Sequence, residues 1–127
     1  MPDKETIIRV EHFTASYSGE TVIDDISFEI HKGEIFVILG GSGCGKSTLL
    51  KHMIGLQQPD RGKIFIFEDD IASSYGRHKE RILRKIGVMF QSGALFGSLS
   101  LIENVRLPLE EFTNLPMDAM NLISSMK

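Results

Sequence analysis

Residues 40–47, Gly-Gly-Ser-Gly-Cys-Gly-Lys-Ser, have the types and the spacing of a loop that binds phosphate. Glycines let the backbone turn its N–H groups inward around an anion, and a helix that begins after such a loop adds the positive end of its dipole. Lys46 brings a point charge to the β- and γ-phosphates of a nucleotide, and the Ser47 hydroxyl is a ligand for Mg²⁺. The residues expected to bind the nucleotide here are Gly40, Gly41, Ser42, Gly43, Cys44, Gly45, Lys46, Ser47 and Thr48.

The segments on either side of this loop predict a strand before it and a helix after it. Residues 35–39 are all apolar and mostly β-branched, which is typical of a parallel strand covered on both faces. Residues 47–54 predict a helix that Gly55 ends. Its expected apolar face consists of Leu49, Leu50, Met53 and Ile54. A glycine-rich turn that merely links strand to helix is the alternative interpretation.

The rest of the chain predicts a mixed α/β domain, because its hydrophobic period changes several times. Strands are expected at 8–13, 21–23, 26–30, 63–67 and 86–90, with turns after Tyr17, at 31–34 and at 59–62. A short basic helix should follow Gly76, and residues 99–107 predict a helix ended by Pro108. Helical spacing continues to the last residues at Met117, Met120, Ile123 and Met126.

Composition restricts the class of protein without identifying it. The 127 residues are 42% hydrophobic and 24% charged, which excludes a disordered or collagenous chain. The net charge of −3 gives no reason to expect attraction to nucleic acid or anionic lipid. The apolar run at 35–39 is far too short for a membrane helix. The first residues lack a secretory signal and Cys44 is the single cysteine, so we expect an intracellular chain in which Cys44 is a small loop residue without a redox role.

Two further patterns resemble sites but have simpler interpretations. Residues 77–85 contain five Lys and Arg, which could indicate a nucleic-acid-binding surface, but no aromatic residue interleaves with them. We interpret them as a solvated helix face with Ile82 and Leu83 on its buried side. Residues 64–69 imitate an apolar strand that ends in carboxylates at a metal site. They lie too soon after the loop and follow a turn, so a hairpin turn is expected at Glu68, Asp69 and Asp70.

Several stretches together resemble the ATP-binding subunit of ABC transporters. They are Gly33-Glu34, residues 40–50, Gly55-Leu56, Pro-Asp-Arg-Gly at 59–62 and Val-Met-Phe-Gln at 88–91. The resemblance covers essentially the whole chain. It implies a P-loop NTPase fold of ABC type, of which this chain is the N-terminal half: a peripheral antiparallel sheet plus the P-loop strand and helix. Residues 1–112 would then belong to the ATPase core, and 113–127 would open the helical subdomain.

Within that family, residues 89–96 and 100–105 are most similar to the Mla-type group, also called toluene-tolerance systems. These ATPases serve phospholipid transporters of Gram-negative envelopes. The resemblance therefore implies a lipid cargo that other subunits carry.

The family's roles can be assigned to matching residues. Tyr17 occupies the position of the aromatic that stacks on adenine, although a tyrosine that packs at a hairpin edge is the alternative. Gln91 matches the glutamine that contacts Mg²⁺ or the attacking water, although a solvated loop glutamine is the alternative. The resemblance thus implies ATP and Mg²⁺ as cofactors, catalytic roles for Lys46 and Gln91, and Mg²⁺ contacts from Ser47 and Gln91.

The sequence lacks parts that the family uses for hydrolysis: a Leu-Ser-Gly-Gly-Gln signature, a Walker B strand with its glutamate and a switch histidine. We therefore expect a truncated chain that binds ATP but does not hydrolyse it alone. Beyond about Pro116, the tail is expected to expose Met117, Met120 and Ile123.

The resemblance also implies partners and a location. The partners would be an ABC permease and a second ATPase subunit in a homodimer, with no nucleic acid and with membrane contact only through the permease. The location would be the cytoplasmic face of the inner membrane. The alternatives are a stand-alone P-loop kinase or GTPase and a non-catalytic fragment that occupies the permease or the partner ATPase without turnover.

Overall fold

The computed structural model describes residues 4–127, which form two compact units divided between Val88 and Met89. The first contains a sheet and two helices, and the second contains a pair of helices. In chain order the elements are β1 (Thr6–Tyr17), β2 (Glu20–His31), α1 (Lys46–Met53), β3 (Arg61–Ile66), β4 (Asp69–Asp70), α2 (Gly76–Leu83), α3 (Leu101–Phe112) and α4 (Met117–Ser125).

The four strands form an antiparallel sheet in the order β2-β1-β3-β4. The expected turn after Tyr17 is confirmed: Ser18 and Gly19 both have positive φ, at 52° and 84°, as a two-residue hairpin turn requires. The two short strands expected at 21–23 and 26–30 are one continuous strand, β2. Its irregularity lies near Asp25, whose φ is 46° and whose N–H donates to Thr14 Oγ1.

One face of this sheet packs against α1 and α2 and forms the core of the first unit. The prediction that Leu50 lies on the buried face of α1 is wrong. Leu50 is exposed, and His52 lies on the buried face instead. The expected basic helix is confirmed as α2, with Ile82 fully buried. The buried apolar residues are Val10, Phe13, Ala15, Ile23, Leu49, Met53, Ile64, Ile66, Ile71 and Ile82.

The doubly covered strand expected at 35–39 is wrong as a description of these residues. They have no regular secondary structure, and their exposure alternates along the chain. Phe36 and Ile38 are 41% and 40% exposed, whereas Ile35 and Leu39 are 91% and 87% exposed. The covered side meets the sheet, where Phe36 stacks on Phe28 at 5.0 Å between ring centroids. No strand of residues 4–127 pairs with the segment, so its other face has no cover.

The strand expected at 86–90 is also absent, and Val88, Met89 and Phe90 are exposed. By contrast, the strand expected at 63–67 is confirmed as β3, which is shifted by one or two residues. The interpretation of the acidic residues as hairpin residues agrees with the structure. Glu68 lies in the turn with a φ of 69°, and Asp69 begins the short strand β4.

In the second unit, α3 and α4 pack as a pair. A capping box begins α3: the Ser100 hydroxyl accepts from the Glu103 N–H, and the Glu103 carboxylate accepts from the Ser100 N–H. The expectation that Pro108 ends this helix is wrong, because α3 continues through it to Phe112. An interior proline removes one helical hydrogen bond and crowds the carbonyl four residues earlier. The helical bonding nevertheless continues, since the Thr113 N–H donates to the Leu109 carbonyl at 3.1 Å.

The expectation of an exposed Met120 is wrong as well, because this side chain is buried in the second unit. Ile123 is half-buried, and only Met117 among the three tail residues is exposed. Between the two helices, Arg106 Nη1 donates to Asn121 Oδ1 at 2.7 Å. Within residues 4–127, none of the helices is both long enough and apolar enough to cross a membrane.

Candidate nucleotide-binding site

Gly45 joins the glycine-rich loop to α1, and only glycine fits there. It is the N-cap residue of α1, and its φ of 99° lies in the left-handed region. A Cβ at this position would lie 2.8 Å from Val22 Cγ1 and 2.9 Å from Ile23 Cγ1. The hairpin therefore presses directly on the base of the loop and fixes where α1 begins.

The Lys46 side chain folds over the loop that precedes it. Its Nζ donates to the carbonyl oxygens of Gly40 and Gly41, both at 2.7 Å, and lies 3.4 Å from Cys44 Sγ. The loop itself is closed by the Cys44 N–H, which donates to the Gly41 carbonyl at 3.3 Å. The ammonium group thus lies inside the curve of residues 40–45, where an anion held by the loop would meet it.

The N-terminus of α1 is free to bind an anion. No side chain caps it, and its first turn contains no acidic residue. The first N–H groups of a helix have no partner inside the helix, and the dipole places partial positive charge there. Ser47 is the second residue of α1 and is exposed, whereas Thr48 is half-buried. The Ser47 hydroxyl is therefore accessible beside the loop.

A cavity of about 290 Å³ connects this loop with the β1–β2 hairpin. It brings Tyr17 together with the loop and with the first turns of α1, and the expected stacking of Tyr17 on adenine stays a prediction. Tyr17 is 65% exposed, so its ring is accessible to a flat ligand. The residues that line the cavity are Tyr17, Val22, Gly43, Gly45, Lys46, Ser47, Thr48 and Lys51.

The charge of this cavity suits a polyanion, since its lining includes two lysines and no carboxylate. The same donor set fits Mg²⁺ only in a particular way. Magnesium is usually bound by one or two protein oxygens together with phosphate oxygens and water. Ser47 supplies one hydroxyl, so a nucleotide's phosphates would have to supply further ligands. Among residues 4–127 no group of His, Cys, Asp and Glu side chains could hold a metal by itself.

Gln91 belongs to the second unit and is not one of the residues that line the cavity. It is exposed and begins a turn after residues 86–90. Its expected contact with Mg²⁺ therefore stays a prediction.

Two other loop residues contact each other closely. A Cβ on Gly40 would lie 2.3 Å from Cys44 Sγ, so glycine leaves the space that the thiol occupies. Cys44 is exposed and its sulfur faces the Lys46 ammonium group. Its small side chain fits the loop as expected.

His52 fixes the orientation of α1, a role that the sequence analysis did not anticipate. Its ring is buried, with Nδ1 2.7 Å from the Thr48 carbonyl and Nε2 3.1 Å from the Gln58 carbonyl. The ring also packs edge-on against Phe13 of β1 at 5.1 Å between centroids. Helical spacing from Leu49 is the signal that could have placed His52 on the inner face.

The turn before residues 35–39 is held by Glu34. Its carboxylate accepts from the His31 N–H at 2.8 Å, and this backbone hydrogen bond lowers the pKa of Glu34. The Glu34 N–H in turn donates to the His31 carbonyl at 3.1 Å. These bonds fix the direction in which the chain leaves β2 toward the loop.

Comparison with known proteins identifies the family. The family model described as "ABC transporter" matches residues 23–127. The chain is 42% identical over 106 residues to a probable ribonucleotide transport ATP-binding protein, mkl, of Mycobacterium leprae, covering 84% of this chain and 30% of that protein. It is 35% identical over 123 residues to the intermembrane phospholipid transport ATP-binding protein MlaF of Haemophilus influenzae, covering 97% of this chain and 47% of that protein.

The fold is also similar to solved structures. One is a dimeric ATP-binding cassette in a post-hydrolysis state bound to ADP and Pi, with a TM-score of 0.84 and 26% identity. That match covers 94% of this chain and 55% of the cassette. The chain thus spans less than half of the two curated relatives named above and about half of the solved cassette. Because the family model matches most of the chain and the fold agrees with a solved cassette, this chain belongs to the ABC transporter family.

Proposed function

We propose that this chain binds ATP as part of the ATP-binding subunit of an ABC transporter. The observation that supports this most directly is the position of the Lys46 ammonium group, inside the loop and beside an uncapped helix N-terminus. Those two positive groups and the loop amides suit the β- and γ-phosphates. Tyr17, at the same cavity, supplies a flat aromatic surface for the adenine ring.

Each loop residue then has a separate task. Gly43 and Gly45, with φ values of 78° and 99°, permit the backbone to curve around the phosphates. Lys46 holds the terminal phosphates and stabilises the charge that develops on them during transfer. Ser47 and the phosphates would hold Mg²⁺, which would neutralise phosphate charge. Gln91 would contact Mg²⁺ or orient the attacking water.

We extend this proposal to the whole subunit. Hydrolysis requires the signature and Walker B segments that the 127 residues lack, so these residues alone bind nucleotide without turnover. A second copy of the subunit and a permease are the proposed partners, at the cytoplasmic face of the inner membrane. In this scheme residues 1–112 are part of the ATPase core and residues 113–127 open its helical subdomain.

Phospholipid is the proposed cargo of that permease. The similarity to MlaF, which extends over 97% of this chain, and the match of residues 89–96 to the Mla-type group support this choice. The ribonucleotide transport protein mkl is more similar but over fewer residues. A vesicle assay with the complete transporter would distinguish the two cargoes. We expect phospholipid, and not ribonucleotide, to stimulate ATP hydrolysis.

Titration with a fluorescent ATP analogue and Mg²⁺ tests the binding proposal, with phosphate release followed in the same samples. We expect saturable binding, no phosphate release, and loss of binding in Lys46→Ala. Lys63→Ala is the matched control, because Lys63 is an exposed lysine of β3 that does not line the cavity. Equal binding by Lys46→Ala and the unmodified chain would contradict the proposal.

A further inference from the structure

Lys51 lines the candidate nucleotide cavity, although no motif of the sequence includes it. It lies four residues after Ser47 and three after Thr48, so the three side chains share one face of α1. Side chains of a helix lean toward its N-terminus, and this lean directs Lys51 back along the cavity wall. The cavity is therefore flanked by a second lysine, one helical turn away from the loop.

Lys51 differs from the other lysines near α1 in having no partner. Lys46 donates to the loop carbonyls, and Lys79 donates to the Gly55 carbonyl at 2.6 Å. In the part of the chain that the structure describes, from residue 4 onward, the Lys51 ammonium group forms no ion pair and no hydrogen bond. Its three N–H donors are thus available to a ligand in the cavity.

The position of Lys51 along α1 selects the part of the nucleotide that it meets. The triphosphate belongs at the helix N-terminus, where Lys46 already supplies the cation. Lys51 lies about one helical pitch, roughly 5.4 Å, farther along the axis. Tyr17 and Val22, which suit the nucleoside rather than the phosphates, line the same cavity. The oxygens of a ribose are hydrogen-bond acceptors that an ammonium group at this position can satisfy.

We propose that Lys51 is a specificity-determining residue that donates hydrogen bonds to the ribose hydroxyls of the bound nucleotide. This inference rests on the proposed function, because it requires the triphosphate to lie on the loop. It assigns Lys46 to the phosphates and Lys51 to the sugar, so that the two lysines recognise different parts of one ligand.

The test measures dissociation constants of the full-length protein for Mg-ATP, for inorganic triphosphate and for 2′,3′-dideoxy-ATP. In Lys51→Met we expect affinity for ATP to fall roughly three- to tenfold, as for loss of one or two hydrogen bonds. Affinity for triphosphate and for the dideoxy nucleotide should stay unchanged. Lys51→Arg should recover most of the lost affinity, and Lys63→Met is the matched control because it removes the same charge outside the cavity.

Three results with Lys51→Met would overturn the inference. An equal loss of ATP and triphosphate affinity in Lys51→Met would overturn the inference, because Lys51 would then act as a general positive charge. Unchanged ATP affinity in that variant would also overturn it. A loss for ATP and the dideoxy nucleotide alike would assign Lys51 to the base and overturn the assignment to ribose. Absence of triphosphate binding in the unmodified protein, or its retention in Lys46→Ala, would contradict the proposed function itself.

Discussion

The strands of the antiparallel sheet mix apolar with polar residues and still supply buried core residues, whereas residues 35–39 are all apolar and supply none. Strands β1, β2 and β3 are neighbours in the sheet, and their inner face is covered by α1 and α2. Residues 35–39 are covered on one side, by the sheet, and their other side is exposed. A hairpin finds its partner strand a few residues away, whereas a parallel strand needs partners from distant parts of a chain.

This difference shows that an apolar pattern can predict burial without identifying the residues that provide it. The apolar pattern of residues 35–39 predicts a two-sided environment, and residues 4–127 supply one side of it. The glycine-rich loop at 40–47 follows directly after this half-covered segment. Its shape is fixed from the other direction, because Val22 and Ile23 of the hairpin press on Gly45. The base of the loop therefore contacts the hairpin directly, whereas the segment that leads into the loop is covered on one side only.

The largest expected effect on stability comes from truncating one isoleucine to alanine in each of the two regions. Ile64→Ala removes a fully buried side chain of β3 and should lower the free energy of unfolding by about 2–5 kcal/mol. Ile35→Ala makes the same truncation in the exposed segment and should change it by no more than about 0.5 kcal/mol. Urea unfolding followed by circular dichroism measures both. Comparable losses of unfolding free energy in the two variants would mean that residues 35–39 are packed on both sides, which would contradict the difference between the two regions.

A smaller effect is expected where the sheet meets the loop. Gly45→Ala places an alanine in the left-handed conformation and brings its Cβ against Val22 and Ile23. This change should lower the free energy of unfolding by roughly 1–3 kcal/mol and weaken ATP binding. Gly87→Ala is the control, since a Cβ there meets nothing within 4 Å and no left-handed φ is involved. Calorimetric titration with Mg-ATP and thermal unfolding check both consequences. Unchanged ATP affinity in Gly45→Ala would show that the hairpin does not shape the loop.

The smallest effect concerns the N-terminus of α3, where the capping box supplies local hydrogen bonds and no residue of the helix is buried. The Ser100 hydroxyl, and then its backbone N–H, lower the pKa of Glu103 by donating hydrogen bonds to the carboxylate. Because the folded pKa lies below the unfolded one, this stabilisation is present above the ordinary carboxyl pKa and is lost as pH falls through the lowered value. We expect the Ser100 amide resonance to shift in that acid range. Glu103→Gln retains a capping side chain without titration, and an identical shift there would contradict the assignment.

Local signals predicted most of the elements, and non-local packing accounts for most of the errors. The turn at Ser18 and Gly19 and the helix after Gly45 follow from backbone preferences of nearby residues. The segment at 35–39 was misjudged because its apolar residues give no indication of which strands will cover them.

The site shows the same division. The loop residues follow from the motif, and Tyr17 from the resemblance. Lys51 could be placed at the site only once the cavity was known, whereas helical spacing from Leu49 could have placed His52 on the inner face of α1. The His52 ring lies on that face, within hydrogen-bond distance of the Thr48 and Gln58 carbonyls, and Leu50 is exposed instead.

The central claim is that the loop at 40–47 binds the phosphates of ATP. Amide resonances of a ¹⁵N-labelled chain, followed during addition of Mg-ATP, test it residue by residue. We expect the largest shifts at Gly43, Gly45 and Ser47, with a smaller ring-current shift near Tyr17, and no such shifts in Lys46→Ala. Shifts confined to the basic helix α2, or none at all at the loop, would contradict the claim.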